Sequence, residues 1–498
     1  MNSSLQSLVA TQPQPWIRSL SHLAVQFFWW CFAATLALMS WNALWRLGGT
    51  YIRDFDEGRY GVAASEMLHA NSALVTTYAG ATEFWNLKPP LGYWFLELSY
   101  WLGGESPLTL RLPAAICALA ATALTMLLVR RIAGSRAAIL SGLVLATSFG
   151  FLGHHGARSG ELDAPLTLLL LPLPVLAPRM LDERGARLAA GLVLGVGFLL
   201  KSFAIVPFVA AIAVYGWISR GVRSWRMWPL PLAITAIMAA TWAVARSVSE
   251  GSWEFVRRMF TEDLLLRSTT EIDIGGSSPW DYVGCLFDRL APWPLVVLAA
   301  FVLSRHFAKR WLSSDIATLL WCYALIPLAI FTIARTHHSW YIIPTYPAWA
   351  VLSAVAALEL IECAQRVELD SVVSAMLVIG ILSCEARLVA HIETHRMTAA
   401  QDFLMSLRDR RRDVGPELRT AFTPSYAERF LLQAVDGFKL LDGESVPESR
   451  VDCWGRNWVL LRKSTDGWLE APPGAGELAI IAQSESYALA RVRSGGRR

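Results

Sequence analysis

Long apolar runs are the feature that most limits what this 498-residue chain can fold into. A helix that crosses a membrane needs about 20 predominantly apolar residues. Runs that approach or exceed this length are Leu23–Trp45, Leu108–Val129, Ala137–Gly153, Trp228–Ala245, Ile316–Ile333, Tyr341–Ile361 and Ser371–Val389. Only 17% of the residues are charged, whereas soluble domains carry about 25%. The sequence therefore predicts an α-helical polytopic membrane protein.

The positions of Lys and Arg predict the topology, because short basic loops stay in the cytoplasm. Such loops recur at alternate connections, at Arg130–Arg136, Arg179–Arg187, Arg220–Arg226 and Arg305–Arg310. The segment Leu188–Ser219 lies between two of them and is long enough for two short helices. We therefore expect a hairpin with Lys201 at its outer tip, about eleven spans in all, an inner N-terminus and an outer C-terminus.

The last hundred or so residues differ in composition from the rest. Pro and Gly are frequent there, and Trp458–Arg462 and Leu478–Ala482 have strand-like patterns. We predict a membrane domain over residues 1–390 and a small α/β domain outside the membrane over residues 391–498. The seven cysteines are isolated and indicate packing residues, and a net charge of +4 spread over many loops does not indicate nucleic-acid binding.

Charged side chains gather in two predicted outer loops. They are Asp56, Glu57 and Arg59 in the first loop, and Arg158, Glu161 and Asp163 in the second. Carboxylates at a membrane surface are costly to desolvate, so they are solvated, paired or functional. Pairing with Arg59 is the simpler explanation for the first group, and capping of the following helix is the simpler one for Asp163.

Basic residues also fall on the predicted outer face, where the positive-inside rule disfavours them. They are Arg59, Lys88, Arg158, Lys201, Arg267 and Arg335. Lys88 alone would be typical of an interfacial lysine within an aromatic belt, because Trp85, Tyr93 and Trp94 surround it. Six cations on the disfavoured side instead suggest a bound anion, and a lipid phosphate at the membrane surface fits.

Six segments, in this order, resemble the bacterial aminoarabinose-transferase and protein-mannosyltransferase-like glycosyltransferases of the GT-C fold. They are DEGRY, KPPLGYW, LDAPLTLLLL, GFLLKSFAIVP, FTEDLLLRSTT and RTHHSWYIIPTYPAWAVL. The resemblance implies a GT-C-type fold with about 11–13 transmembrane helices. It also implies transfer of a sugar from a polyprenyl-phosphate donor to a lipid A, glycan or protein acceptor at the periplasmic face of the bacterial inner membrane. Leu87 departs from the family, which commonly has an acidic residue there.

The resemblance also implies roles for individual residues. The catalytic candidates are Asp56 and Asp163, and the donor-phosphate ligands are Lys88, Arg267 and Tyr341. The substrate-binding candidates are Glu57, Arg59, Arg158, Lys201 and His338. Asp56 would act as general base on an acceptor hydroxyl, or would orient the acceptor if a phosphate oxygen attacks.

Three alternatives stay open from the sequence. Asp56 and Asp163 could share a divalent cation such as Mg²⁺ or Mn²⁺, with nitrogen ligands offered at a similar level by His154, His155, His337 and His338. A polyprenyl-linked glycolipid transporter or flippase would instead carry charges at helix midpoints and an inverted repeat. A membrane scaffold would tolerate free exchange of the outer charged residues.

Overall fold

The computed structural model describes residues 15–270, 278–304, 314–442, 458–464, 467–468 and 478–492. Within these ranges, seven helices are long and apolar enough to cross a membrane, or eight if one bent pair is a single span. This confirms the polytopic helical fold. The basic segment Arg305–Arg310 lies outside the described residues, and the six cysteines inside them are all free.

Up to Thr394, the described residues form seventeen α-helices and a π-helix at Met259–Leu266. They are α1 (Pro15–Leu44), α2 (Asp56–Ala70), α3 (Leu91–Gly103), α4 (Pro107–Ala146), α5 (Phe149–Leu152), α6 (Asp163–Leu170), α7 (Pro172–Leu176), α8 (Arg184–Lys201), α9 (Val206–Arg220), α10 (Pro229–Glu250), α11 (Glu254–Arg258), α12 (Arg267–Thr269), α13 (Asp281–Leu290), α14 (Trp293–Leu303), α15 (Asp315–Ile333), α16 (Tyr346–Gln365) and α17 (Asp370–Thr394). Helix α4 packs against α1 and α16, α8 against α10, and α9 against α15.

Several apolar runs are broken into shorter helices. Gly134 interrupts α4 with a φ of 87°, and Ser202 ends α8 with a φ of 51°. Helices α13 and α14 meet at an angle of 100°. Gly134 lies between two predicted runs, so α4 joins two predicted spans, and the number of long helices need not equal the number of crossings. The 11–13 spans and the outer tip at Lys201 stay predictions, and Lys201 is indeed the last residue of α8.

The segment between α1 and α4 holds α2, a short hairpin of β1 (Thr77–Tyr78) and β2 (Ala81–Thr82), and α3. Helix α3 is too short to span a membrane. Its exposed face carries Trp94, Leu98 and Trp101, a helical spacing that suits a helix lying in the membrane surface. Helix α2 packs against α3, so we expect the charged start of α2 to lie near the membrane surface.

A six-stranded mixed sheet follows α17 in the described residues. Its strands are β3 (Glu417–Thr420), β4 (Lys439–Asp442), β5 (Trp458–Ser464), β6 (Gly467–Trp468), β7 (Leu478–Gln483) and β8 (Tyr487–Val492). The strand order is β4-β3-β5-β8-β7, with β6 paired to β5. Strands β3, β4 and β5 are parallel, and β5, β8 and β7 are antiparallel. The predicted small α/β unit is confirmed, while its boundary at residue 391 stays a prediction.

Helix α2 packs directly against the polypeptide that precedes β4. A Cβ atom at Gly58 would lie 2.6 Å from the carbonyl carbon of Tyr426, and one at Gly61 would lie 2.4 Å from the ring of Phe430. Glycine is required at both positions because a larger residue would push the two segments apart. The C-terminal unit therefore fixes one side of α2.

Candidate active site

A cavity of about 210 Å³ opens at the ends of several helices. Its charged lining residues come from five separate segments of the chain and are Asp56, Lys88, Glu161, Asp163, Lys201, Asp263 and Arg267. Tyr341 and Trp340 close another side of it. The structure thus brings together both predicted catalytic carboxylates, all three predicted phosphate ligands and Lys201.

The two predicted catalytic carboxylates occupy equivalent positions. Asp56 is the first residue of α2 and Asp163 is the first residue of α6. A helix N-terminus carries a partial positive charge, which favours a carboxylate. The N-cap of α6 is Leu162 and Asp163 is already inside the helix, so the capping explanation for Asp163 is wrong. Burial raises the pKa of Asp56, although Lys201, Arg267 and Lys88 act against that rise.

Asp163 forms an ion pair with Lys201. The Lys201 ammonium donates to Asp163 Oδ1 at 2.6 Å, and both side chains are buried. Lys201 reaches this position because α8 ends there and the chain turns at Ser202. The end of α8 therefore places the Lys201 ammonium group at the cavity.

Lys88 and Arg267 share a carboxylate that sequence reasoning missed. Lys88 Nζ donates to Asp263 at 2.6 Å and 2.7 Å, and Arg267 Nε lies 3.5 Å from the same group. Ser202 Oγ donates to it at 2.9 Å. Burial tends to raise the pKa of Asp263, but Lys88 and Arg267 outweigh burial and hold it below its ordinary value. The signal in the sequence was the four-residue spacing of Asp263 and Arg267.

Arg267 also donates to the Tyr341 hydroxyl at 3.3 Å. His338 stacks on Trp340, with ring centroids 4.4 Å apart and an interplanar angle of 9°. Trp340 lines the cavity whereas His338 is not among its lining residues. His338 is therefore placed to support the wall of the cavity.

Besides His338, three further predicted substrate-binding residues do not line the cavity. Glu57 is buried and accepts from Arg111 at 2.6 Å and 3.0 Å. Arg59 forms two hydrogen bonds with Glu83, at 2.6 Å and 2.7 Å. Both are structural ion pairs, and the expected pairing of the first acidic group with Arg59 is wrong for Glu57, because Arg111 takes Glu57 and Glu83 takes Arg59.

The third is Arg158, which donates to the main-chain carbonyls of Asn42 and Ala43. It ties the second outer loop to the end of α1. Among the candidate metal ligands, His337 is also engaged structurally, because its Nδ1 lies 3.0 Å from Asp281 and its Nε2 lies 2.8 Å from the Ala334 carbonyl oxygen.

The structure offers a different group of potential metal ligands from the predicted pair of Asp56 and Asp163. In the part of the chain that the structure describes, His154, His155 and Glu161 have potential ligand atoms within 4.8 Å of one another. Asp56 does not belong to this group.

Solved structures with the same fold are known. The structure of ArnT from Cupriavidus metallidurans bound to undecaprenyl phosphate superposes with a TM-score of 0.71 at 18% identity, covering 92% of this chain and 97% of that one. An oligosaccharyltransferase from Archaeoglobus fulgidus gives a TM-score of 0.51 at 11% identity, with 89% and 74% covered. The fold and the cavity at its helix ends define a membrane protein of the GT-C class.

Sequence comparisons identify more specific relatives within the GT-C class. Residues 87–248 match the family described as dolichyl-phosphate-mannose-protein mannosyltransferase. Proteins named undecaprenyl phosphate-alpha-4-amino-4-deoxy-L-arabinose arabinosyl transferase are 26% identical in Edwardsiella ictaluri and 29% identical in Pectobacterium carotovorum, over 62% and 64% of this chain. The chain has the GT-C fold and is similar in sequence to aminoarabinose transferases over about three fifths of its length. It matches little more than half of these relatives' own length, 56% and 57%.

Proposed function

We propose that this chain is a membrane glycosyltransferase that moves a sugar from a polyprenyl-phosphate donor to an acceptor at the periplasmic face of the bacterial inner membrane. The observation that carries the proposal is that Asp56, Lys88 and Arg267 line one cavity. The names of the relatives supply the donor class, undecaprenyl phosphate carrying an amino sugar. We extend that class to this chain, with a lipid A-type glycolipid as the first acceptor to test.

The donor phosphate would bind where Asp263 now pairs with Lys88 and Arg267. A phosphate monoanion or diester offers these two cations the same kind of charged oxygen that Asp263 offers. Tyr341 adds a hydroxyl donor on the same side, beside Arg267. Substrate binding then exchanges one anionic partner for another, so the cations never lose a counter-charge in a largely desolvated site.

Transfer breaks the bond between the anomeric carbon and the phosphate oxygen, and forms a bond from that carbon to the acceptor oxygen. Negative charge develops on the departing phosphate, where Lys88 and Arg267 would stabilise it. When the acceptor is a hydroxyl, Asp56 accepts its proton. Burial helps because it raises the pKa of Asp56 and so makes the carboxylate a stronger base.

The test compares the envelope lipids of cells that express the wild-type chain, Lys88→Ala or Arg335→Ala. Arg335 is a matched control, because it is an exposed cation of the predicted outer face that does not line the cavity. Mass spectrometry of lipid A, envelope glycans and polyprenyl-phosphate lipids identifies the donor and the acceptor in the same experiment. We expect Lys88→Ala to lower product formation by about 10²–10³, and Arg335→Ala to preserve it.

The proposal fails if removal of the gene leaves every one of these lipid and glycan pools unchanged. It also fails if Lys88→Ala, inserted at wild-type levels, forms the same amount of product. Accumulation of the glycosylated polyprenyl phosphate in Lys88→Ala cells would support the assigned donor.

A further inference from the structure

The second outer loop borders a small separate cavity that the transfer mechanism does not use. This cavity measures about 30 Å³ and shares no described lining residue with the candidate active site. Its volume has room for about two water molecules, so it suits a small group and excludes a sugar ring. We call it the basic cavity, because its described lining residues include three arginines and three histidines but one carboxylate. They are Arg53, Arg111, Arg158, His154, His391, His395 and Glu57.

The carboxylate of the basic cavity is already fully engaged. Glu57 accepts from Arg111 and from the main-chain nitrogens of Arg53 and Gly160. The Arg53 guanidinium lies elsewhere, over the ring of Tyr51. At the active site, by comparison, four carboxylates face three cations among the described lining residues. The basic cavity therefore has an excess of positive charge that the active site lacks.

Arg158 gives an independent indication of a missing anionic partner. It is only 8% exposed, and its Nη1 donates to the main-chain carbonyls of Asn42 and Ala43. Its Nη2 is buried and has no hydrogen-bond partner among the described residues. Burial and the nearby Arg111 lower the pKa of Arg158 to about 10, so the side chain is still cationic near pH 7. A buried, charged donor without a partner is costly, and an anionic oxygen in the basic cavity would satisfy it.

The position of the basic cavity indicates a lipid as the carrier of this anion. Arg158 bonds to the last turn of α1, and His391 lies in the last turn of α17. Both helices are candidate membrane spans, and only 11% of the apolar stretch of α17 is buried. Trp41 and Trp45 stack at the same end of α1, with ring centroids 5.6 Å apart, and tryptophan is enriched at the level of the lipid headgroups. A headgroup can therefore reach the basic cavity from the bilayer.

We propose that the basic cavity binds the phosphate group of an anionic lipid, separately from the proposed donor site. Arg53 and Arg158 would bind the phosphate oxygens, because the planar guanidinium matches phosphate geometry and is weakly hydrated. His154 and His391 lie close enough to interact electrostatically, and each imidazole offers a ring N–H donor. A bound phosphate would join the ends of α1 and α17 to the second outer loop, which leads into Asp163.

The experiment counts bound lipid and does not depend on the proposed transferase activity. The delipidated full chain in detergent is titrated with phosphatidic acid, with diacylglycerol of the same acyl chains, or with inorganic phosphate, and the complexes are counted by native mass spectrometry. Every protein carries Lys88→Ala, which removes a ligand of the proposed donor site. We expect one phosphatidic acid per chain, no retained diacylglycerol, and weaker binding of inorganic phosphate. Adding Arg53→Gln or Arg158→Gln should weaken phosphatidic acid binding at least about ten-fold, because each removes a charged hydrogen-bond donor.

Arg396→Gln is the matched control. Arg396 is an exposed cation that pairs with Glu393 and does not line the basic cavity, so this variant should bind phosphatidic acid as tightly as the Lys88→Ala chain. The melting temperature of each preparation reports folding. Arg53→Gln keeps the test decisive if Arg158→Gln unfolds, because Arg53 bonds to Glu57 through its main chain.

Four results would overturn the proposal. They are a Lys88→Ala chain that retains no phosphatidic acid, a folded Arg53→Gln variant that binds it undiminished, a loss of binding in Arg396→Gln, and equal binding of diacylglycerol. Inorganic phosphate that binds as tightly as phosphatidic acid would overturn the assignment to a lipid and identify a soluble phosphate as the ligand.

Discussion

The ion pairs behind α2 differ from those that line the cavity. Arg111 donates to both oxygens of Glu57 and also to the main-chain carbonyls of Leu47 and Tyr51. Both partners are buried, and neither has a buried polar atom without a partner. At the cavity, Lys88 and Asp263 pair beside open space.

This difference indicates that buried ion pairs serve two purposes in the molecule, one structural and one in ligand binding. A pair whose hydrogen-bonding sites are all filled cannot accept a ligand, and its loss leaves a buried charge. A pair beside a cavity can exchange one partner for a substrate group. The neighbours Asp56 and Glu57 therefore have different consequences when mutated, although the sequence places them side by side.

The substitution Glu57→Gln should have the largest effect, which is a loss of folding stability. It leaves the buried Arg111 guanidinium without its counter-charge, and breaking such a pair costs about 3–5 kcal/mol. We expect a lower melting temperature in detergent and less protein in the membrane. Asp402→Asn serves as the control because Asp402 is exposed. An unchanged melting temperature for Glu57→Gln would show that the enclosed pair does not stabilise the fold.

Asp56→Asn should act on transfer while leaving folding intact. Loss of a general base costs about 10²–10⁴ in rate, and Asp56 makes no enclosed pair of the Glu57 type. The measurement is kcat with a purified donor, together with the melting temperature of the same preparation. A lowered melting temperature or a wild-type kcat in Asp56→Asn would contradict the assignment of Asp56 to catalysis and Glu57 to folding.

Asp263→Asn should have a smaller effect, in the opposite direction. It removes the anion that competes with the donor phosphate for Lys88 and Arg267. We expect the KM for the donor to fall about five-fold, equivalent to ~1 kcal/mol, because the donor no longer competes with Asp263 for the two cations. Glu262→Gln is the control, because Glu262 neighbours Asp263 but does not line the cavity. A rise in KM in Asp263→Asn would mean that Asp263 positions the cations for the donor.

The pH dependence of kcat/KM should show the smallest effect. A protonated Asp56 cannot accept a proton, so the rate falls as the pH drops through its pKa. Burial raises that pKa, which places the fall above the ordinary range of an aspartate. The residual rate of Asp56→Asn should lack this acidic limb. The same limb in wild type and variant would assign the titration to another group.

The long spans were predictable because apolar surface must face lipid, and the six quoted segments brought Asp56, Lys88 and Asp163 into one site. Partner choice was not predictable. Glu57 and Arg111 are 54 residues apart, and Lys88 and Asp263 are 175 apart. Nothing local distinguishes an arginine that will enclose a carboxylate from one that will face a cavity, because only the packed helices decide which cation is near.

The contact between α2 and the C-terminal unit has a consequence for biogenesis. Asp54 accepts a hydrogen bond from the main-chain nitrogen of Ala427, 373 residues later in the chain. The ribosome adds roughly 5–20 residues per second, so tens of seconds pass between the synthesis of Asp54 and that of Ala427. During that interval the surface of α2 at Gly58 and Gly61 lacks the segment that packs against it, so this early part of the protein completes its packing only after the C-terminal unit is made.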